Sequence, residues 1–177
     1  MKLHCMRHGQ SEYNVLGLCN DDPAREVRLT KLGRRQAQWA AEQLAQLPVQ
    51  QVFCSELPRA RETAEIVCAL LGAPLETHPG LNDIRSGCDG RPVQDYYRAI
   101  AHDRMHARVG SGETLAEHKK RVRRFIKWLK KRNYNDVLIV AHEETLRVFA
   151  AYARGLSDAR MLELTFANCE VFSFDLI

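Results

Sequence analysis

One nearly continuous apolar run, Asp136–Ala141 (DVLIVA), constrains the fold of this chain more than any other segment. Such a run is typical of a central strand in a parallel sheet, where both faces are buried. Two further apolar runs, Lys2–Met6 and Gln51–Ser55, are separated from it and from each other by helical patterns. The alternation predicts an α/β fold, with a mixed, mostly parallel sheet lying between helices.

Capping signals give the approximate bounds of the helices. Thr30 is a good N-cap for a helix that runs to about Leu47, and the helix opened by Pro58 ends at Gly72. A basic amphipathic helix is predicted from Thr114 to Arg132, and another from Glu143 to about Arg154, before Gly155. An alternating pattern over Glu170–Leu176 predicts the last strand.

The least regular segment is 75–113, which holds five of the ten glycines. It has one short predicted helix, near Val93–His106, and is too short to form a second domain. We therefore expect residues 1–177 to form a single domain, with a small cap-like insertion over the sheet at about 75–113.

Composition excludes several classes of protein. Apolar residues make up 45% of the chain and charged residues 27%, as in ordinary globular domains. The net charge of +4 is too small to indicate nucleic-acid binding but is compatible with an anionic small molecule. The six cysteines form no CxxC pair and no zinc-like spacing with histidine. No apolar run is long enough for a signal sequence or a membrane span, and we expect a cytoplasmic location.

Three predicted strands end in side chains that suit a phosphate. The first leads into Arg7-His8, and Asp136–Ala141 leads into His142. In an open α/β sheet, ligands bind at the carboxyl ends of the strands, so both histidines are expected in one crevice. Arg59, which follows the strand 51–55, would lie at the same rim. Arginine offers a fork of donors to phosphate oxygens, and histidine can act as a nucleophile near neutral pH.

With these motifs the chain resembles the histidine phosphatase superfamily, also called phosphoglycerate-mutase-like. The matching segments are RHGQSEYN (7–14), LTKLGRRQA (29–37), SELPRARETA (55–64), LNDIRSGCDG (81–90), GET (112–114) and VLIVAHEETLR (137–147). They span nearly the whole chain in the order that the family has. The resemblance implies a three-layer α/β/α sandwich and a phosphomonoesterase that acts on a small phosphorylated metabolite through phosphohistidine. It implies no cofactor and no metal.

The resemblance also implies a role for individual residues. His8 corresponds to the nucleophile, and Asp83 stands where the family usually has a glutamate that protonates the leaving group. The groups that would hold the phosphoryl oxygens are Arg7, Arg59 and His142. The remaining residues expected to bind substrate are Gly9, Ser11, Asn14 and Glu143. The physical reading agrees, because neighbouring arginines disfavour protonation of a histidine and stabilise the charge of a phosphoryl group in transfer.

Two departures from the family pattern concern carboxylates. Asp83 is one methylene shorter than glutamate, which leaves Asp89, Glu113 and Glu143 as reserve candidates for the acid. Glu143 and Glu144 replace two glycines that usually follow the second histidine. We interpret them mainly as outward-facing residues of the first helical turn, with Glu143 pairing to Arg147. The alternative is contact with a cationic or hydroxyl-rich part of the substrate.

Several alternatives stay open. The alternative enzyme is a phosphoglycerate mutase. The alternative to an efficient enzyme is a weakly catalytic relative that binds a phosphorylated ligand or has a regulatory role. The segment 118–132 carries nine Lys or Arg, which allows a weaker hypothesis of nucleic-acid or anionic-membrane binding. His102, His106 and His118 form a still weaker candidate for a metal site. The substrate could be a sugar phosphate, a nucleotide-pathway phosphate, a cobalamin-precursor phosphate or a protein phosphohistidine, and the sequence does not indicate an oligomeric state.

Overall fold

The computed structural model describes residues 1–177 and contains five strands and seven helices. In chain order they are β1 (Lys2–Arg7), α1 (Glu12–Leu16), α2 (Lys31–Leu44), β2 (Gln51–Cys54), α3 (Pro58–Leu71), β3 (Leu75–Thr77), α4 (Val93–Ile100), α5 (Leu115–Leu129), β4 (Asp136–Ala141), α6 (Glu143–Arg154), α7 (Asp158–Glu163) and β5 (Val171–Asp175). A single 3₁₀ turn occupies Pro79–Leu81. None of the helices combines the length and the apolar character that crossing a bilayer requires.

The five strands form one sheet in the order β3-β2-β4-β1-β5. β4 lies at its centre and pairs in parallel with both β1 and β2, while β5 is antiparallel to β1 at one edge. Five of the six residues of β4 are fully buried. The mixed, mostly parallel sheet predicted from the sequence is therefore confirmed, with DVLIVA as its central strand.

Alternate residues of β4 face two different helical layers. Val137 and Ile139 pack with α5 and α6, whereas Leu138 and Val140 pack with α2 and α3. Because side chains alternate across a strand, a run buried at every position must be covered on both faces. The result is the three-layer α/β/α sandwich.

Most helix bounds follow the capping signals. The Thr30 hydroxyl accepts a hydrogen bond from the backbone N–H of Gly33 at the start of α2, and Gly72 ends α3 in a left-handed conformation with φ +67°. Thr114 and Glu117 form a capping box at the start of α5. Helices α2 and α5 each end three residues before the predicted residue, because their last turns open into irregular turns.

The structure corrects the sequence analysis in segment 75–113. Leu75–Thr77 is not part of an insertion, because it joins the sheet as β3, parallel to β2. The helix expected near Val93–His106 ends at Ile100, before His102 and His106, two of the three histidines of the metal hypothesis. Helices α1 and α7 were not predicted, since five or six residues are too few for a helical period to show in the sequence.

Candidate active site

The carboxyl ends of β1, β4 and β2 bring the predicted residues together at one edge of the sheet. Arg7 is paired with Ala141 in register, so His8 and His142 follow on adjacent strands. The centroids of their imidazole rings are 5.1 Å apart. On the next strand, the backbone N–H of Ser55 donates to the carbonyl of Val140 at 3.1 Å, which places Ser55 at the same edge.

His8 is held in one tautomer by two hydrogen bonds. Its Nδ1 lies 2.7 Å from the carbonyl oxygen of Gly9, which can only accept, and its Nε2 lies 3.1 Å from Nε of Arg59, which can only donate. Both contacts require a proton on Nδ1 and a lone pair on Nε2. Burial, followed by the charges of Arg59 and Arg7, lowers the pKa of His8 well below its ordinary value. The imidazole is therefore neutral at pH 7, with a nucleophilic Nε2.

Arg59 lies in the first turn of α3 and is only 4% exposed. Its Nη1 and Nη2 donate to the side chain and the backbone carbonyl of Asn20, and Nη2 also contacts Oδ2 of Asp83 at 3.0 Å. These contacts fix the guanidinium against His8, where it can stabilise negative charge next to Nε2.

His142 is held in the opposite tautomer by a relay of hydrogen bonds. The Oδ1 of Asn82 is an amide oxygen and can only accept, as it does from the backbone N–H of Glu56. Its 3.1 Å contact with Ser55 must therefore be a hydrogen bond that the Ser55 hydroxyl donates. The Ser55 oxygen is then an acceptor for Nε2 of His142, at 2.8 Å. Nδ1 of His142 is left as the free ring nitrogen. Burial, Arg59 and His8 lower the pKa of His142 well below its ordinary value.

Two buried polar atoms at this edge have no hydrogen-bond partner: Nε of Arg7 and Nδ1 of His142. Nearly all buried polar groups in proteins are hydrogen-bonded, so two such atoms in one place indicate a site for a polar ligand. Nη1 of Arg7 is already bound, to the carbonyl of Phe166 and to a carboxylate oxygen of Glu143.

A cavity of about 390 Å³ opens at this edge, a volume suited to a small molecule. Arg7, His8 and Arg59 lie at its base, and Ser11, Asn14 and Asp83 are also in its wall. Oδ2 of Asp83 lies 3.6 Å from Nδ1 of His142, close to where a bound phosphoryl group would sit. The cavity is the one place where a nucleophile, two guanidiniums and a carboxyl group meet.

Gly9 is not among the residues that line the cavity, and neither is His142, so the contact of each with the ligand stays a prediction. A Cβ on Gly9 would lie 2.5 Å from the carbonyl oxygen of Gly33 in α2. Glycine is therefore required for close packing of the β1 end against α2. Its contribution to the site is indirect, because its carbonyl accepts the Nδ1–H of His8.

Two of the reserve acids lie away from the cavity. Burial raises the pKa of Asp89, but hydrogen bonds from Asp21, Asn20 and Arg25 outweigh this and lower it overall. Burial likewise raises the pKa of Glu113, and hydrogen bonds and charges from His118 and Arg121 leave it well below its ordinary value. Neither carboxylate lines the cavity, so Asp83 and Glu143 remain as candidates.

The interpretation that Glu143 and Glu144 face outward is wrong. The expected pair between Glu143 and Arg147 is present at 2.9 Å, yet both glutamates line the cavity. The cause is Arg7, whose Nη1 lies 2.8 Å from Oε2 of Glu143 and holds that side chain on the inner face of α6.

Several residues of the site were missed by the sequence analysis. Asn20, Ser55 and Asn82 hold Arg59 and His142 through the contacts described above. The side-chain amide of Asn168 donates to the carbonyl of His8 at 2.9 Å. Ser55 and Asn82 lie in two of the family-like segments, which was the available signal, whereas nothing in the local sequence distinguishes Asn20 or Asn168.

Comparison with known proteins decides the family. The model of the histidine phosphatase superfamily (branch 1) matches residues 3–176. The chain belongs to this superfamily. The resemblance, the phosphatase class of enzyme and the fold predicted from the sequence are thereby confirmed.

Among the relatives of this histidine phosphatase is the adenosylcobalamin/alpha-ribazole phosphatase of Escherichia coli K12, which is 32% identical over 165 residues covering 88% of this chain and 80% of that protein. The alpha-ribazole phosphatase structure from Shigella flexneri superposes with a TM-score of 0.89 at 29% identity, covering 99% of this chain and 90% of that one. A 2,3-bisphosphoglycerate-dependent phosphoglycerate mutase of Thermoplasma acidophilum is 23% identical and covers 97% of this chain and 85% of its own.

Proposed function

We propose that this histidine phosphatase hydrolyses a small phosphomonoester through a phosphohistidine on Nε2 of His8. The observation that carries the proposal is the tautomer of His8, which leaves a neutral, unprotonated Nε2 facing the cavity. Of the two unpartnered atoms, Nε of Arg7 is a donor for a phosphoryl oxygen, whereas the unprotonated Nδ1 of His142 accepts a hydrogen bond only from a phosphoryl oxygen that carries a proton. Asn14 and Ser11, in the cavity wall, complete the proposed phosphate-binding residues.

In the first step, the Nε2 lone pair of His8 forms a bond to phosphorus while the bond from phosphorus to the ester oxygen breaks. Asp83, in its acid form, gives its proton to the departing oxygen. In the second step, Asp83 as a carboxylate takes a proton from water as the water oxygen attacks phosphorus. The phosphorus–nitrogen bond breaks, inorganic phosphate leaves, and His8 and Asp83 return to their starting forms. Arg7 and Arg59 stabilise the phosphoryl charge in both steps.

The test is hydrolysis of an aryl phosphate and an alkyl phosphate by matched variants. His8→Ala is expected to abolish turnover of both. His4→Gln is the control, because His4 is a buried histidine of the same strand whose contacts are Ser173 and Asp136. Retained turnover in a folded His8→Ala protein, or no turnover by the wild type between pH 4 and 9, would contradict the proposal.

Asp83→Asn separates proton donation from phosphate binding. We expect turnover of an alkyl phosphate to fall by about 10²- to 10⁴-fold, the usual contribution of general acid catalysis. Formation of the phosphoenzyme from p-nitrophenyl phosphate, measured as the burst of p-nitrophenol, should slow far less, because its leaving group departs without a proton. The later hydrolysis step, in which Asp83 acts as the base, is common to both substrates and slows equally for both. Glu113→Gln, which removes a carboxylate away from the cavity, should not change the ratio between the two phosphorylation rates. Equal slowing of the phosphorylation step for both substrates in Asp83→Asn would exclude Asp83 as the acid.

The substrate is proposed to be a phosphorylated metabolite of modest size, as the cavity volume of about 390 Å³ suggests. Because two similar proteins are named as alpha-ribazole phosphatases, alpha-ribazole phosphate is the first natural candidate to assay. A panel of sugar and nucleotide phosphates would accompany it, ranked by kcat/KM.

A further inference from the structure

The cavity of this enzyme has walls of unequal charge. Its only guanidiniums, Arg7 and Arg59, lie at the base beside His8, and no lysine lines it. Four carboxylates belong to its lining: Asp21, Asp83, Glu143 and Glu144. A phosphate group that binds between the two arginines uses the positive charge of the cavity, and the rest of the ligand then faces carboxylates.

Glu144 lines the part of the cavity that the non-phosphate portion of a ligand would occupy. It is only 8% exposed, and it lines the cavity from the first turn of α6. Its Oε1 accepts from Nη1 of Arg147 at 2.6 Å and from the hydroxyl of Tyr97 at 3.3 Å. Both contacts fall on Oε1, so Oε2 is the oxygen left for a donor on a ligand.

Glu143 differs from Glu144 because both of its oxygens are bound. Oε2 lies 2.8 Å from Nη1 of Arg7, and Oε1 accepts from Nη2 of Arg147 at 2.9 Å. Arg147 is therefore shared by two carboxylates, and it is buried behind them. Without a ligand, Arg7 and Arg147 together balance Glu143 and Glu144. A phosphoryl group that binds to Arg7 takes up the charge of that guanidinium, and one guanidinium then remains for the two carboxylates, so this wall carries excess negative charge when the phosphate is bound.

We propose that Glu144, supported by Glu143, selects phosphomonoesters whose alcohol portion is hydroxyl-bearing or cationic, and rejects esters that carry a second anionic group. The inference rests on the proposed function and specifies its substrate class. A hydroxyl or ammonium group of the ligand donates to Oε2 of Glu144, whereas a ligand carboxylate in that place meets a like charge with little water to screen it. Phosphoglycerates, which carry a carboxylate close to the phosphate, fit this wall poorly.

Four small esters form two matched pairs that test the proposal. Glycerol 1-phosphate and 3-phosphoglycerate differ by a hydroxymethyl group in place of a carboxylate, and phosphoethanolamine and phosphoglycolate differ by a protonated aminomethyl group in place of a carboxylate. Each would be measured as a substrate and as a competitive inhibitor of p-nitrophenyl phosphate hydrolysis, so that a slow substrate still gives an affinity. The wild type is expected to favour the uncharged and cationic members by at least about tenfold, the size expected of one incompletely neutralised carboxylate beside a ligand.

Three variants assign the selectivity to the charge of Glu144. Glu144→Gln should reduce the preference about tenfold, chiefly by improved binding of the two carboxylate-bearing esters, while Tyr97→Phe should leave the charge preference unchanged. Glu163→Gln, on exposed α7, is the control for a general change in protein charge.

Equal affinity of the wild type for both members of each pair would overturn the inference, as would a Glu144→Gln protein in which all four esters weaken equally. Either result leaves the proposed function standing as long as p-nitrophenyl phosphate is hydrolysed. Loss of the proposed function is a different result, in which the wild type hydrolyses no phosphomonoester at all.

Discussion

Replacing Glu143 by glutamine should strengthen the binding of inorganic phosphate. Oε2 of Glu143 lies 2.8 Å from Nη1 of Arg7, so the carboxylate occupies one of the two guanidiniums that face a bound phosphoryl group. A phosphate oxygen bound to the same guanidinium would lie about 5 Å from that carboxylate, where two unit charges repel by about 3 kcal/mol at an effective dielectric constant of 20.

Two features of the structure reduce this repulsion. Oε1 of Glu143 is paired with Arg147, and the Glu143 side chain is 26% exposed to solvent. Together they leave a net effect of about 1 to 1.5 kcal/mol, or roughly a tenfold gain in phosphate affinity. Glutamine keeps an acceptor for Arg7 and removes only the charge, so the guanidinium should hold its position.

Competitive inhibition of p-nitrophenyl phosphate hydrolysis by inorganic phosphate measures this affinity, and titration calorimetry checks it without turnover. Glu143→Asp is the matched control, because it keeps the charge and should leave the inhibition constant near that of the wild type. Unchanged or weaker phosphate binding in Glu143→Gln, with a normal thermal transition, would refute the electrostatic reasoning and show that the carboxylate mainly positions Arg7.

Three further outcomes are expected. Ser55→Ala should destabilise the protein by about 1 to 3 kcal/mol in urea unfolding and lower turnover, because it leaves the buried Nε2–H of His142 without an acceptor; normal stability would contradict the relay. Gly33→Ala should destabilise by more than about 3 kcal/mol, since its Cβ would lie 2.0 Å from the carbonyl oxygen of Gln10, and a Tm within a degree of the wild type would contradict this. The pKa values of His8 and His142 are lowered in the folded protein. At a pH below the ordinary pKa of histidine, these two residues therefore bind protons in the unfolded chain and not in the folded one. Stability should then rise with pH up to about 6.5, by up to about 1.4 kcal/mol per pH unit for each histidine, and a double His→Asn variant should show a flatter slope.

The sheet could be predicted because its central strand, Asp136–Ala141, is apolar at nearly every position. Burial on both faces leaves that signature in the sequence itself, and it fixes the helical layers on either side. β3 could not be predicted, because its three residues, Leu75–Thr77, are half-exposed or exposed and gain their pairing from β2. Helix α1 is also short, with five residues, and it is stabilised by a capping box between Ser11 and Asn14.

In the site, the residues that follow directly on strands could be placed from topology. His8 and His142 meet because the parallel strands β1 and β4 end at one edge of the sheet. Ser55 directly follows the neighbouring strand at the same edge, but its contact with His142 was not predicted. Asn20 and Asn168 come from loops, and their positions depend on tertiary contacts that no local pattern encodes. The direction of Glu143 was misjudged for a related reason. The first turn of a helix offers both a solvent-facing and a cavity-facing side, and Arg7, distant in sequence, decides between them.

The central claim is that His8 carries the phosphoryl group, and trapping of the phosphoenzyme tests it most directly. A single-turnover reaction would be quenched in base, where phosphohistidine survives, and the label located by mass spectrometry. One acid-labile phosphoryl group per chain is expected on His8, formed and lost at rates that match turnover, and none is expected in His8→Ala. Turnover without a trapped phosphoryl group, or a label on a residue other than His8, would contradict it.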